Sequence, residues 1–384
     1  MDNFSFHNPT RLHFGKGQIA AVTAEIPENA RVLITYGGGS IKRNGTLEQV
    51  LAALKKHTVL QFGGIEPNPT YETLMKAVEL ARKEQIDFLL AVGGGSVIDG
   101  TKFIAAAIPF EGDPWQILSE RAAVTRAIPA GNVLTLPATG SESNAAAVVT
   151  RRETSDKLSF ISPEVYPQFA ILDPETTYSL PVSQSANGVV DAFVHVMEQY
   201  LTVREGAQVQ DRYAEGLLLT LIEEGPKVLS QPDNYDVRAT IMWTANQALN
   251  GLIGRGVAQD WSTHMIGHEL TALYGLDHAK TLAIILPSVM DVMRKQKADK
   301  ILQYGQRIWG ISSGSDQERI DAAIEKTRDF FEQMGIKTRL ADYGIGADEV
   351  VKLIDQLKRH NMIALGEKQN ITLELSESIL RKAL

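Results

Sequence analysis

The chain contains no cysteine, which excludes disulfides, thiolate zinc sites, iron–sulfur clusters and cysteine nucleophiles. A disulfide-free chain suits a reducing compartment, so the cytoplasm is the expected location. Long apolar runs are missing too. The longest, residues 103–109 and 281–287, fall far short of the ~20 residues that span a bilayer, so no membrane association is expected. The stretch MDNFSFHNPTRLHF at the start has no basic flank leading into an apolar core, so it is not read as a secretory signal. Positive charge is scarce: 38 Lys and Arg against 46 Asp and Glu leave a formal net charge of −8. That balance argues against a nucleic-acid partner, whose protein normally presents a basic face. Thirty-one glycines and fifteen prolines in 384 residues are too few for a collagen-like or low-complexity chain, and no 20–50-residue period suggests a solenoid.

What is present is length enough for two or three domains and a change of pattern midway. Apolar runs at 31–36, 58–62, 87–92, 132–136 and 169–172 read as strands, with helical periods at 46–57, 71–85 and 97–108 between them. Near-continuous apolar strands alternating with helices predict a parallel sheet covered on both faces. From residue 181 almost everything reads at helical period: 184–201, 211–229, 236–252, 261–274, 298–309, 316–334, 347–359 and 373–382. The expected architecture is an α/β domain over 1–180 followed by an all-helical domain over 181–384.

Two apolar strands run straight into the same spelling. Tyr36 leads into Gly37-Gly38-Gly39-Ser40, and Val92 into Gly93-Gly94-Gly95-Ser96. Glycine lets a phosphate approach the main chain, and free N–H groups at a helix start attract anions. A third loop, Thr139-Gly140-Ser141-Glu142, adds hydroxyls after the fourth strand. One such loop could be a tight turn and nothing more; three at the ends of parallel strands favour a dinucleotide site. Gly15-Lys16-Gly17-Gln18-Ile19-Ala20 matches half of the dinucleotide fingerprint. It precedes the first strong strand and is given little weight. No acid lies between Gly37 and Thr46, whereas Ser40, Lys42 and Arg43 do. A carboxylate there would hold a free ribose hydroxyl and repel a 2′-phosphate, so the loop favours NADP(H) over NAD(H).

Four of the eight histidines (His195, His264, His268 and His278) fall within one stretch of the second half. Asp191 and His195 stand at i and i+4 on one helix face, and His264 and His268 repeat that spacing. His278 follows the break at Tyr274-Gly275-Leu276 and is expected on a turn that folds back. One carboxylate with several imidazoles suits zinc or iron(II). Spacing leaves open which of His264 and His268 is a ligand. The order is not HExxH, because Glu269 follows the second His, so a zincin protease is disfavoured. His7, His13, His57 and His360 are read as ordinary core or surface residues. Phe193, Trp243, Trp261 and Tyr274 lie near the ligand segments, which suggests an apolar pocket or equally simple core packing.

Taken in order, Val92 to Asp99, Thr139 to Glu142, Asp191 with His195, His264 with His268, and His278 resemble the metal-dependent ("iron-containing", group III) alcohol dehydrogenases, across essentially the whole chain. The spellings Glu66-Pro67-Asn68-Pro69 and Gly267-His268-Glu269-Leu270 are most like those of the family's NADPH-dependent aldehyde reductases and butanol dehydrogenases. The resemblance implies a dinucleotide-binding α/β domain, an all-α domain of the dehydroquinate synthase-like fold, and a site in the cleft between them. It implies that Asp191, His195, His264 and His278 hold one divalent metal ion, iron or zinc, that polarises the carbonyl oxygen. His268 would then line the site as the catalytic proton relay. Cofactor contacts would fall on Gly38, Gly39, Ser40, Asn68, Gly94, Gly95, Ser96, Asp99, Thr135, Thr139, Ser143 and Lys157, with Asp99 orienting its loop. The partners implied are a short-chain aldehyde or primary alcohol and a second copy of the chain, as a homodimer. A dehydroquinate synthase-type lyase is the alternative. It needs a cluster of cations around a phosphorylated substrate, and the ligand segments carry only Arg255 and Lys280. A metal hydrolase would have no use for paired glycine loops.

Overall fold

Runs of valine, isoleucine and leucine build the frame of the first half. In the computed structural model, which describes residues 1–203 and 206–384, they form β1 (Arg11–Phe14), β2 (Arg31–Tyr36), β3 (Thr58–Phe62), β4 (Phe88–Gly94), β5 (Ala130–Leu136), β6 (Ala146–Arg151), β7 (Asp156–Ile161) and β8 (Phe169–Leu172). Six of these make one sheet in the order β1-β8-β5-β4-β2-β3, with every pairing parallel. The sheet is covered by α1 (Thr46–Ala53), α2 (Tyr71–Lys83) and α3 (Gly95–Ala107). Successive strand side chains point to opposite faces. Leu33 therefore joins Leu74, Val78 and Phe103 in one core, while Val32 and Ile34 join Val50 and Phe88 in the other.

The chain passes from β2 to β3 in one direction and from β4 to β5 in the other. Strand order thus reverses between β2 and β4, the position where open α/β sheets receive ligands at their carboxyl ends. The two triple-glycine loops follow these two neighbouring strands.

Two features depart from the sequence reading. β1 is a four-residue edge strand that is nowhere fully buried, so it lacks the apolar run that marks an inner strand. The segment Gly15-Lys16-Gly17 therefore does follow a strand. It leads into a 3-10 turn (Gln18–Ala21), and the Gly17 N–H donates to Asp173 Oδ2 at 2.7 Å, so one of the protein's own carboxylates already takes that donor. The antiparallel hairpin β6–β7 is also additional.

The second half forms α4 (Val182–Tyr200), α5 (Gln208–Glu224), α6 (Tyr235–Ala248), α7 (Ser262–Tyr274), α8 (His278–Val292), α9 (Arg294–Trp309), α10 (Asp316–Gln333), α11 (Ala347–Arg359) and α12 (Leu373–Lys382). α8 is the one long helix that the sequence reading lacks. It is buried continuously from Thr281 to Met290 and carries Pro287 inside. A helix enclosed on all sides has no polar stripe to betray its period, and an internal proline counts against a helix. Packing divides the chain into a unit of His7–Pro181 with Pro232–Asn246, and a unit of Met1–Phe6, Val182–Gln231 and Gln247–Leu384. A single cut near residue 180 differs from this in two pieces. Residues 232–246 belong with the α/β unit because Met242 enters its core and Trp243 meets Phe14 edge-on at 5.6 Å. Among the described residues no helix is long and apolar enough to cross a membrane.

Candidate active site

In the helical unit, α4 carries Asp191 and His195 one turn apart, α7 carries His264 and His268 likewise, and His278 is the first residue of α8. The last point corrects the expectation of a turn. Gly275, in the left-handed region at φ 67°, ends α7, and the chain re-enters helix three residues later, at His278. Asp191, His195, His264 and His278 each offer a ligand atom, and these four atoms all lie within 4.8 Å of one another. Asp191 Oδ1 is 3.6 Å from His195 Nε2 and 3.7 Å from His278 Nε2. The His195 and His264 rings stack at 4.7 Å, and His278 lies 5.1 Å from His264. His268 stands beside this group, 5.4 Å from the His278 ring and 6.3 Å from that of His264. Geometry thus draws in His264, a choice that spacing left open.

A buried carboxylate absent from the sequence reading completes the arrangement. Glu198, on α4, accepts from His264 Nδ1 and from the Thr263 N–H at 2.6 Å. Burial pushes the Glu198 carboxyl up, and His264 pulls it back. With Nδ1 committed, His264 presents a bare Nε2, which is buried and has no hydrogen-bond partner among the described residues. An unmet buried acceptor is costly, and a cation would satisfy it. One carboxylate, three imidazoles and that lone pair fit a single zinc or iron(II) ion.

Of the four aromatics near these segments, Trp261 alone stands against the group, its ring 5.3 Å from His264 and 6.2 Å from His195. Its backbone sits at φ 64° at the N-cap of α7, an unusual conformation for a bulky residue. Phe193 packs on Phe330 and Phe331 in the core, Tyr274 donates to Glu349, and Trp243 belongs to the α/β unit.

In the α/β unit, the loop after β2 turns at Gly39 (φ 90°) into a short helix begun by Ser40. A Cβ placed on Gly38 or Gly39 would meet nothing within 4 Å. On that turn, Lys42 Nζ lies 4.8 Å above the Tyr36 ring, with Arg43 beside it in sequence. Gly94 ends β4, and Gly95 and Ser96 open α3. Here the third loop packs closely: a Cβ on Gly95 would come within 2.5 Å of Thr139 Oγ1. The Asn68 N–H donates to Ser96 Oγ at 3.3 Å and its Oδ1 accepts from Lys157 Nζ at 2.9 Å, which ties three candidate cofactor residues together. Thr135 is buried on β5.

Asp99 and Ser143 are engaged inside the fold. Asp99 accepts from the Ser141 hydroxyl and from the Val148 N–H. Ser143 Oγ accepts from Asn246 Nδ2, which also reaches Glu142 Oε1, both at 2.8 Å. The sequence reading gives Lys102 and Asn246 no role, and Glu142 only a place in the spelling of the third loop. Lys102 Nζ donates to Ser141 Oγ, Asn144 Oδ1 and the Ala146 carbonyl at 2.8–3.0 Å. Burial pulls its pKa down to about 8 against the pull of Asp99 and Glu142. A lone lysine in the apolar run of α3 was the one available signal.

Comparison with known proteins places these features. Residues 9–174 match the family model "Iron-containing alcohol dehydrogenase", and residues 185–384 match "Fe-containing alcohol dehydrogenase family, C-terminal". The NADPH-dependent aldehyde reductase YqhD of Escherichia coli K12 is 61% identical over 386 residues, covering 100% of both chains. The NADH-dependent butanol dehydrogenase A of Clostridium acetobutylicum is 38% identical over 388 residues, again covering 100% of both. The crystal structure of Escherichia coli K-12 YqhD matches with a TM-score of 0.99 at 60% identity, covering 100% of this chain and 99% of that one. With both halves matched in order and a full-length relative at 61% identity, the chain belongs to the iron-containing alcohol dehydrogenase family.

Proposed function

We propose that this protein is an NADPH-dependent aldehyde reductase, moving hydride reversibly between NADP(H) and short-chain aldehydes or their primary alcohols. The observation that carries this reading is the convergence of Asp191, His195, His264 and His278 within 4.8 Å, in a chain 61% identical to an NADPH-dependent aldehyde reductase. Those four residues would hold one divalent ion, iron or zinc, which when bound supplies Lewis acidity toward the carbonyl oxygen. The hydride comes from the reduced nicotinamide.

The chain's own residues do the rest. Main-chain N–H groups at Gly38–Ser40 and Gly94–Ser96 receive the phosphates at two helix starts. Asn68, Ser96, Thr135, Thr139 and Lys157 add side-chain contacts, while Asp99 and Ser143 hold the third loop in shape. Lys42 and Arg43 favour a 2′-phosphate, which is why NADPH is chosen here although the relatives include an NADH-dependent enzyme. His268, beside the four ligands, carries the proton that the new alcohol requires. Trp261 walls the group and excludes water from one side. On the family resemblance, the enzyme is taken as a cytoplasmic homodimer.

The test is direct. Protein loaded separately with Fe²⁺ and Zn²⁺ is mixed with butanal and NADPH, and reduced-nicotinamide absorbance is followed alongside butanol formation. Equal amounts of NADPH lost and butanol formed, with slower turnover on NADH, are expected. No NADPH consumption across a panel of aldehydes with either metal would overturn the reading.

A further inference from the structure

Two buried glutamates of the helical unit pair with histidines, and the two pairs lead to different places. Glu269, on α7, meets His360 Nδ1 at 2.7 Å, and neither residue belongs to the group of four. Glu198, on α4, meets His264 Nδ1, and His264 does belong to it. The second Glu198 oxygen accepts the Thr263 N–H at 2.6 Å. One carboxylate therefore joins the helix that carries Asp191 and His195 to the first turn of the helix that carries His264.

The attachment is fixed from below as well. The Glu198 carbonyl accepts the Asp260 N–H at 2.9 Å. Asp260 pairs with buried Lys297 at 2.7 Å, and Lys297 also pairs with buried Glu367 at 2.9 Å. Glu198 is thus held on both carboxylate oxygens and through its main chain.

Imidazole has one lone pair to give when neutral. An N–H committed at Nδ1 leaves that lone pair at Nε2, and in His264 this nitrogen is buried and bare among the described residues. Resting on the metal reading above, we infer that Glu198 is the positioning residue of the metal centre. It selects the His264 tautomer, aims Nε2 at the other three ligands and adds a negative charge behind the ring. A divalent ion with Asp191 as its only anionic ligand leaves a buried positive charge, and Glu198, one imidazole away, is placed to balance it.

The experiment compares wild type with Glu198→Gln, Glu198→Asp, Glu269→Gln and His195→Ala, all stripped of metal and titrated with Co²⁺ against a competing chelator. Co²⁺ dissociation constants and visible spectra are the readouts, and thermal unfolding of each metal-free protein reports its folding. Glu198→Gln should weaken Co²⁺ binding roughly 10–100-fold and shift the visible bands. Glu198→Asp, with the charge kept but drawn back, should fall between. Glu269→Gln should bind Co²⁺ like wild type even where its metal-free form melts earlier.

Wild-type affinity in Glu198→Gln would overturn the inference, as would an equal loss in Glu269→Gln, which would mark general loss of packing. Should Glu198→Gln fail to fold, Glu198→Asp decides, and wild-type affinity there overturns it too. His195→Ala separates the two levels. If His195→Ala loses Co²⁺ while the Glu198 variants keep it, only the role of Glu198 falls. If His195→Ala keeps wild-type affinity, the metal reading itself has failed and takes the inference with it.

Discussion

The glycine loops of the α/β unit and the four-residue group of the helical unit offer a ligand different things. The loops offer main chain: Gly38 and Gly39 have open space where a Cβ would stand, and the two triple-glycine loops lead into helices begun by Ser40 and Gly95. The four-residue group offers side chains, three of them buried, on three helices. A main-chain seat depends on the absence of atoms, so adding one methyl can spoil it. A side-chain group depends on the presence of particular nitrogens and oxygens, so it fails when one is removed. The two regions should therefore respond to opposite kinds of substitution.

The widest gap is expected for His278→Ala. Losing one ligand of four should remove bound metal and with it Lewis-acid help worth several kcal/mol, a fall in turnover of about a thousandfold or more. NADPH binding, followed by nicotinamide fluorescence, should stay within a factor of about two because the loops are untouched. Equal loss of both would break the comparison, since the regions would then not be separable.

The reverse case is Gly95→Ala. Its Cβ would stand 2.5 Å from Thr139 Oγ1 and 2.7 Å from Thr139 Cγ2, so the third loop must move. NADPH affinity should drop about tenfold, near 1.4 kcal/mol, while metal content measured by elemental analysis is unchanged. Gly38→Ala sharpens the point, because its Cβ meets nothing within 4 Å. It should melt like wild type and still bind NADPH more weakly if a phosphate approaches there. Unaltered NADPH affinity in Gly38→Ala would move the phosphate elsewhere.

These two regions also differ in how far they could be read beforehand. The loops announce themselves by spelling, since few residues other than glycine serve at such a turn. The pairs Asp191/His195 and His264/His268 announce themselves by spacing, because one helical turn puts i and i+4 on one face. What spacing could not supply was the third dimension. His264 was separated from His268 only when α4 and α8 were packed against α7. Glu198 was one acid among 46, and its partner lies 66 residues further on. Inner strands such as β2 and β4 were legible from their apolar runs, whereas β1, at the edge, and α8, buried all round, lacked the contrast that periodicity needs.

A smaller effect is expected from charge at the first loop. Replacing Lys42 and Arg43 together by glutamate puts carboxylates on the turn after Ser40 and should lower the preference for NADPH over NADH about tenfold. The ratio of kcat/KM for the two coenzymes reads it. An unchanged ratio would show that these cations face only water.

The finest distinction concerns Trp261, which stands against the four-residue group yet sits at φ 64°. Holding a bulky residue in the left-handed region costs about 1 kcal/mol or more, and its ring contacts return a similar amount. Asparagine tolerates that backbone, so Trp261→Asn should give up the contacts and the strain together. Metal-free stability should then change by less than about 1 kcal/mol, while the KM for butanal rises severalfold because one wall of the group is gone. Destabilisation of about 3 kcal/mol or more, the cost of emptying a core site, would instead class the ring with Phe193 as packing. Strain kept at a residue that stability does not require is what a site-lining role predicts, and the split between KM and melting temperature measures it.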